Sequence, residues 1–424
     1  MEWYYSFVKL SREETKDRAT RQPLLSISGN MAQLIWLAAL FLIMCLISSA
    51  AARVALAQRG VLLAKWRTDL RPAVGSKPLP RVFTSRSGIE LKYQPITSLW
   101  FTDNNTIAAT FLTRESQINS ALPRRGDQNL PLRLRGVFLD TERGKITAIR
   151  DWPTQSTLAR IVAAEDGKFV TQRGDELTLY GPDLQQLKET NLPPAHDQDE
   201  WVAGPASPTG RSILVRLLVA EGRLESWRWV EIHTLQITHS WEAQPRAAIV
   251  SITDNRILRD GICACAQDKL ELRGLSTEWT IIGPGLFRDI FFLNDDLFFM
   301  PNFPIKPGAP ALIVRSDGEV LFTYKQPSEG GVFWRRAVPS TEGKRFVIIG
   351  VRSEGKQPVL DISGHWVLKR ILVGDLSSGA QPYALDVKGP KISGQMQFAL
   401  SPNGLRLAVL NKETVQVFDL PPLQ

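Results

Sequence analysis

The sequence predicts an all-β fold built from one repeated unit. Short strands of alternating polarity fill the chain from residue 95 onward, and turns rich in Asp, Asn and Gly separate them. No stretch in that region has apolar residues at helical spacing over the length of a typical helix. With 424 residues, 43% hydrophobic and 22% charged, the chain can bury a large core and is not a disordered or low-complexity protein.

The recurring turns set the size of the repeat. Asp, Asn and Gly tolerate positive φ or bond their own backbone, which lets two strands reverse within a few residues. The turns are centred on Asn105, Gly167, Gly210, Asn255, Asp295, Gly343 and Gly404. Successive centres are 40 to 62 residues apart, which brackets the ~40–50 residues of a four-stranded propeller blade. We therefore expect a seven-bladed β-propeller over residues 81–424, with six or eight blades as alternatives.

The end of the chain suggests how such a ring would close. The last copy stops at Gln424, soon after the strand TVQVFD, and so lacks an outer strand of its own. An unpaired edge is a liability, and propellers commonly join their first and last blades. Residues 81–92, RVFTSRSGIELK, alternate like a strand just before the first full copy. We expect them to supply the missing strand.

Two copies resemble a known repeat. Residues 400–420, LSPNGLRLAVLNKETVQVFDL, resemble a WD-repeat or YVTN-type blade through their SPNG turn and terminal VFD. Residues 161–184, IVAAEDGKFVTQRGDELTLYGPDL, are the second clearest copy. As a whole the chain resembles uncharacterised exported bacterial propeller proteins. The resemblance implies a propeller and transfers no catalytic activity.

The N-terminal part of the chain indicates membrane targeting. Residues 31–52 carry no charge and are long enough to cross a hydrocarbon core of ~30 Å as one helix. Ala55-Leu56-Ala57 is also typical of a processing site, so residues 31–57 are either a transmembrane helix or a signal peptide. Residues 1–30 precede this segment as a tail, and we interpret residues 58–80 as a linker. We expect the propeller to be membrane-anchored or secreted and extracytoplasmic, in the periplasm or cell envelope; orientation and cleavage stay open.

The candidate binding residues lie in two insertions. Residues 112–131 and 353–366 interrupt the middle of two blades. Loops at the faces of a propeller commonly bind partners, although insertions are also tolerated as surface decoration. The residues that we expect to contribute to binding are Arg114, Arg124, Arg125, His365 and Trp366.

Sequence motifs give no support to catalysis or to a cofactor. The chain has no G-x-S-x-G, G-x-G-x-x-G or H-E-x-x-H pattern, so we predict no catalytic residue, no cofactor and no metal. Cys263 and Cys265 would share one strand face, where core packing is favoured over a disulfide or a metal site. His233 and His239 fall in one blade, and we interpret them as surface or packing residues rather than as metal ligands.

Composition and aromatic content guide the functional interpretation. Trp227 and Trp229 share a strand face and should pack between blades, with an aromatic platform for sugar or peptide as the alternative. The net charge of +8 is spread along the chain, which does not favour nucleic-acid binding.

We expect a non-enzymatic interaction or assembly module that binds a protein or peptide and reaches the membrane through residues 31–52. The alternatives are a hydrolase or lyase acting at the channel mouth, or a sensor for a small molecule or sugar.

Overall fold

A computed structural model gives the fold of the chain. It describes residues 61–75, 81–84, 90–93, 97–114, 132–195, 199–218, 225–243, 247–261, 269–274, 280–284, 290–301, 310–324, 332–353, 365–376, 381–393 and 397–422. These residues contain 32 strands and one helix of four residues. Within this described part, no helix is long and apolar enough to cross a membrane, and residues 31–52 lie outside it.

In chain order the elements are β1 (Val61–Leu62), β2 (Trp66–Asp69), α1 (Arg71–Val74), β3 (Arg81–Thr84), β4 (Glu90–Tyr93), β5 (Thr97–Phe101), β6 (Thr106–Arg114), β7 (Leu132–Asp140), β8 (Ile146–Thr154), β9 (Arg160–Glu165), β10 (Lys168–Arg173), β11 (Glu176–Tyr180), β12 (Gln186–Asn191), β13 (Glu200–Ala206), β14 (Ser212–Leu218), β15 (Glu225–Glu231), β16 (Gln236–Ala243), β17 (Ala247–Ile252), β18 (Arg256–Gly261), β19 (Lys269–Gly274), β20 (Thr280–Pro284), β21 (Phe291–Phe292), β22 (Leu297–Met300), β23 (Ala311–Arg315), β24 (Val320–Tyr324), β25 (Val332–Pro339), β26 (Arg345–Ser353), β27 (His365–Asp375), β28 (Tyr383–Val387), β29 (Lys391–Ser393), β30 (Gln397–Leu400), β31 (Arg406–Asn411) and β32 (Thr414–Asp419).

The strands form antiparallel sheets that succeed one another along the chain. The first to fifth sheets are β5–β8, β9–β12, β13–β16, β17–β20 and β21–β24, and each pairs its strands in sequence order. A six-stranded sheet built on β25–β28 follows, and the last sheet contains β30, β31 and β32. The first strands of successive sheets contact one another in the order β5, β9, β13, β17, β21, β25 and β30, and β30 returns to β5. This closed ring of radial sheets is a β-propeller, which confirms the all-β prediction.

The number of regular blades differs from the prediction. Six sheets, not seven, are four-stranded blades. The sheet of β25–β28 has six strands because β1 pairs in parallel with β28 and because β29 pairs with β27. Strand β27 is 11 residues long, so its beginning pairs with β29 while its later part pairs with β28.

The strand that closes the ring is β2, so the prediction for residues 81–92 is wrong. Trp66 pairs with Val417 and Asp69 with Thr414, which makes β2 the outer strand of the last sheet. Strands β3 and β4 pair with each other as a separate hairpin. Residues 61–75, within the stretch interpreted as a linker, contain β1, β2 and α1, and we call them the latch segment.

The latch segment also binds the first sheet. The Trp66 indole donates to the carbonyl of Thr141 at 2.8 Å, and the Thr68 hydroxyl donates to that of Gly144 at 2.7 Å. Leu70 and Val74 are buried in a cluster shared by the first and last sheets. Closure therefore combines strand pairing on one side with hydrogen bonding and apolar packing on the other.

Tryptophans fill the wedges between neighbouring sheets, as the sequence predicts. Trp201 packs with residues of the second and third sheets. Trp227 and Trp229 pack with Ile252 and Ile257 of the fourth sheet, and both rings are at most 2% exposed. Large flat side chains suit these spaces because radial sheets diverge with distance from the axis.

Candidate functional site at the turn face

The turns between the first and second strands of neighbouring sheets contact one another. Gly167 N donates to the carbonyl of Thr102 at 2.7 Å, which joins the second sheet to the first. Asn403 N donates to Asn104 Oδ1 at 3.0 Å, which joins the last sheet to the first. These turns therefore lie at one face of the ring, which we call the turn face. The connections between second and third strands lie at the opposite face, because the strands are antiparallel.

Close approach at the turn face requires glycine at Gly210. Its φ is +80°, in the region that side-chain-bearing residues rarely adopt. A Cβ at this position would lie 2.6 Å from the carbonyl oxygen of Ala164 in the second sheet. The turn of the third sheet can therefore sit directly against β9.

A depression of about 280 Å³ opens on the turn face. Turns of the third, fifth and six-stranded sheets line it, and the lining residues are Pro208, Thr209, Leu293, Asn294, Asp295, Asp296, Ser340 and Gly343. Asp295 and Asp296 are exposed. In the sequence they are neighbouring carboxylates of one turn, and the ring places them at the edge of a concave surface.

Hydrogen bonds and ion pairs hold the polar groups around this depression. The Thr209 hydroxyl donates to Asp254 Oδ2 at 2.8 Å. Arg256 Nη1 donates to the carbonyl of Asp295 at 3.0 Å and lies 3.5 Å from Asp296 Oδ1. Arg315 Nε lies 3.6 Å from Asp296 Oδ2, and the Ser316 hydroxyl donates to Asp296 Oδ1. Two arginines thus offset the charge of Asp296, while its side chain stays 52% exposed and accessible to a further cationic group.

A second polar cluster lies where the second and third sheets meet. Glu165 ends β9, and only 8% of its side chain is exposed. Arg211 Nε donates to Glu165 Oε1 at 3.0 Å, and this hydrogen bond raises the pKa of Arg211. Glu165 Oε2 lies 2.7 Å from His233 Nε2. Together with the neighbouring Asp166, Glu165 and His233 present ligand atoms that all lie within 4.8 Å of one another.

The candidate residues from the sequence lie elsewhere. Arg114 ends β6 and His365 begins β27, so both belong to the face opposite the turns. Arg124 and Arg125 lie outside the described residues, as do Cys263 and Cys265. The binding role of these arginines and of His365 stays a prediction.

Trp366 is built into the core. Its side chain is 7% exposed, packs in the apolar cluster of the six-stranded and last sheets, and has the Arg335 guanidinium 4.9 Å from its ring centre. Little of the ring is therefore available to a partner. The binding role of Trp366 stays a prediction.

Sequence reasoning missed both clusters of the turn face. Glu165 and His233 lie on different sheets, and neither belongs to a local motif. The available signal was the recurrence of the turns, which marked Gly167, Gly210 and Asp295 as equivalent corners. Equivalent corners of a ring lie at one face, so their polar neighbours gather there.

Comparisons with known proteins give distant structural similarities and no match in sequence. No protein-family model matches the sequence, and no curated protein matches it. The C-terminal WD40 domain of Sif2 is 11% identical over 85% of this chain and 99% of its own, with a TM-score of 0.45. The propeller domain of the trilobed protease from Pyrococcus furiosus is 8% identical over 77% of this chain and 95% of its own, with a TM-score of 0.42. A putative TolB from Agrobacterium tumefaciens is 12% identical over 65% of this chain and 95% of its own, with a TM-score of 0.38.

No activity or partner is transferred from these structures at such low identity. The assignment of the fold rests on the strand pairing and on the ring of contacts between first strands. The chain is a β-propeller, similar in architecture to WD40 and other propeller proteins.

Proposed function

We propose that the chain is a non-enzymatic binding module that holds a basic segment of a protein partner at the depression of the turn face. The observation that carries this is the position of Asp295 and Asp296, exposed at the edge of a concavity. Carboxylates placed around a cleft attract and orient cationic groups.

The size of the depression sets what it could hold. A volume of about 280 Å³ is at the small end of ligand sites, which suits one Lys or Arg side chain rather than a large cofactor. The rest of a bound peptide would lie across the neighbouring turns. Shape and charge together therefore support capture of an extended basic peptide.

The lining favours binding over the alternative of hydrolysis or lyase chemistry. None of the eight described lining residues is a histidine or a cysteine. Ser340, the one serine among them, is buried and its hydroxyl accepts a hydrogen bond from Arg345 N. Nucleophilic catalysis by serine needs a base beside the hydroxyl, and the partner of Ser340 is a backbone amide rather than a base.

The test is a comparison of two double variants. Asp295→Asn with Asp296→Asn removes the charges at the depression, while Asp175→Asn with Glu189→Gln removes two exposed carboxylates of the second sheet that do not line it. The probe is a fluorescent peptide of alternating Lys and Gly. We expect the first double variant to bind it about tenfold more weakly, since exposed ion pairs contribute ~0.2–1 kcal/mol each.

The control double variant should bind the peptide nearly as the wild-type chain does. Equal weakening in the two double variants would show that only overall charge matters. A wild-type chain that binds the Lys peptide no better than a matching Glu peptide would also contradict the proposal.

We also propose that residues 31–52 attach the propeller to a membrane or direct its export, with the propeller outside the cytoplasm. The absence of charge over this stretch supports it. The test is fractionation of cells with alkaline extraction, protease accessibility and N-terminal sequencing. Recovery of the full-length chain in the soluble cytoplasmic fraction would contradict it, whereas a new N-terminus at Gln58 would identify cleavage.

We further propose that the six-stranded sheet occupies the seventh blade position. Its strands β25–β28 pair in the order of a regular blade, and β25 contacts β21 and β30 among the first strands. Strands β1 and β29 are then additions to that blade. An experimental structure in which β25 does not stand between β21 and β30 would contradict this count.

A further inference from the structure

The junction of the second and third sheets contains a buried carboxylate whose two oxygens differ in their environment. Oε1 of Glu165 accepts a hydrogen bond from Arg211. Oε2 is buried and has no hydrogen-bond partner in good geometry, although His233 Nε2 approaches it to 2.7 Å. A buried acceptor without a donor costs ~1–3 kcal/mol and calls for an explanation such as an ion.

The atoms around this oxygen are those that a transition-metal ion prefers. His233 offers an imidazole nitrogen, and Asp166 offers a second carboxylate from the adjacent turn position. Zn²⁺ binds His nitrogen and carboxylate oxygen, and an open site keeps water in the fourth position. Two carboxylates and one imidazole therefore form a complete set of three protein ligands.

The geometry needs only small side-chain movements. Zn–N and Zn–O bonds of about 2.0–2.2 Å place neighbouring tetrahedral ligand atoms roughly 3.3–3.5 Å apart. The pair at 2.7 Å must open slightly, and the most distant pair, within 4.8 Å, must close. Asp166 is exposed and the His233 side chain is 33% exposed, so both can adjust while Glu165 stays fixed by burial.

Arg211 does not occupy the same position. Its Nε binds the other oxygen of Glu165, and its side chain is 64% exposed. Its charge lowers the affinity of a nearby cation but is screened by solvent. The arginine therefore leaves Oε2 free to act as a ligand.

We propose that Glu165, Asp166 and His233 bind one divalent transition-metal ion of the Zn²⁺ type. The ion joins β9 and its turn in the second sheet to the turn between β15 and β16 in the third. It would fix the junction between two neighbouring blades. The inference is independent of the peptide depression, which none of these three residues lines.

The experiment measures bound zinc in the full-length chain by equilibrium dialysis against ZnCl₂. The variants are His233→Ala and Asp166→Asn, and the controls are His239→Ala and the double variant Cys263→Ser with Cys265→Ser. His239 lies on β16 of the same sheet and is exposed. Asp166 has φ +49°, which asparagine tolerates, so Asp166→Asn changes the ligand with little strain.

We expect one zinc ion per wild-type chain and per control variant, with binding weakened at least tenfold in His233→Ala and in Asp166→Asn. Thermal unfolding in the absence of metal checks that each variant is folded. The proposal is wrong if the wild-type chain binds no zinc, or if both site variants bind it as tightly as the wild type.

Discussion

The junction of the last and first sheets differs in kind from the junction of the second and third. At the first, the latch segment joins two sheets through strand pairing, apolar packing and hydrogen bonds to backbone carbonyls. At the second, Arg211 donates to one oxygen of the buried Glu165 carboxylate, and His233 Nε2 lies 2.7 Å from the other without hydrogen-bond geometry. The junction that must connect distant parts of the chain is stabilised mainly by packing. The junction between sheets that are adjacent in sequence can carry polar groups suited to binding.

Loss of apolar packing in the latch segment should have the largest effect. Leu70 is fully buried between the last and first sheets, so Leu70→Ala should destabilise the fold by about 2–5 kcal/mol. Leu187, on β12, is 53% exposed and serves as the control, since Leu187→Ala should cost less than about 0.5 kcal/mol. Urea unfolding measures both. Similar midpoints for the two variants would mean that the latch does not hold the ring together.

Two glycines with nearly the same positive φ allow the effect of packing at the latch to be measured apart from the effect of backbone strain. Gly144 has φ +68°, and a Cβ there would lie 2.5 Å from the Trp66 ring. Gly343 has φ +69° with no neighbour within 4 Å of its Cβ position. We expect Gly144→Ala to cost about 1–3 kcal/mol more than Gly343→Ala, because only the former overpacks the latch. If thermal unfolding shows the same loss of stability in both variants, the Trp66 ring can move aside to accept the added methyl group.

The ion pair of Arg135 should make a smaller, pH-dependent contribution. Arg135 Nη1 donates to the carbonyl of Val74 at 2.8 Å, while Nε and Nη2 bind Asp151 and lower its pKa through these hydrogen bonds. A lowered pKa in the folded state means that the stabilisation is present above the unfolded pKa of ~3.9 and is lost as pH falls through the folded value.

Asp151→Asn should therefore lower the free energy of unfolding by about 1 kcal/mol at pH 7. The variant should also lose less stability than the wild type as the pH falls below about 5, because it has no carboxylate to protonate at this position. The measurement is the urea midpoint as a function of pH, with Asp183→Asn at an exposed turn as the control. A variant whose acid dependence matches that of the wild type would rule out a role for this pair in holding α1.

Local features of the fold could be predicted from the sequence, and long-range pairings could not. The turn at Gly404 and the alternation of β31 and β32 are local, so sequence alone identified them. Residues 81–92 and Trp66–Asp69 both alternate like strands, and only the tertiary structure selects the second to pair with β32. Of the two extra strands of the six-stranded sheet, β29 depends on the length of β27, which the insertion before it concealed, and β1 is a long-range parallel partner of β28.

The candidate sites show the same limit. An insertion suggested that Trp366 is accessible, yet the period of two along β27 places Trp366 and Leu368 together in the apolar cluster. Glu165 and His233 meet only because the turn between the first two strands of one blade and the turn between the last two strands of the next lie at the same face. Patterns in sequence located the corners of the ring, and the ring itself decides which side chains meet there.

Closure by β2 and β32 also determines when the fold can be completed during synthesis. Lys65 and Asp419, which form an ion pair at this closure, are 354 residues apart. At ~5–20 residues per second, the ribosome needs roughly 20–70 s to make the chain between them. For that time β2 has no partner strand, and an unpaired edge is open to wrong pairing. The growing chain therefore carries β2 as an open edge until β32 has emerged.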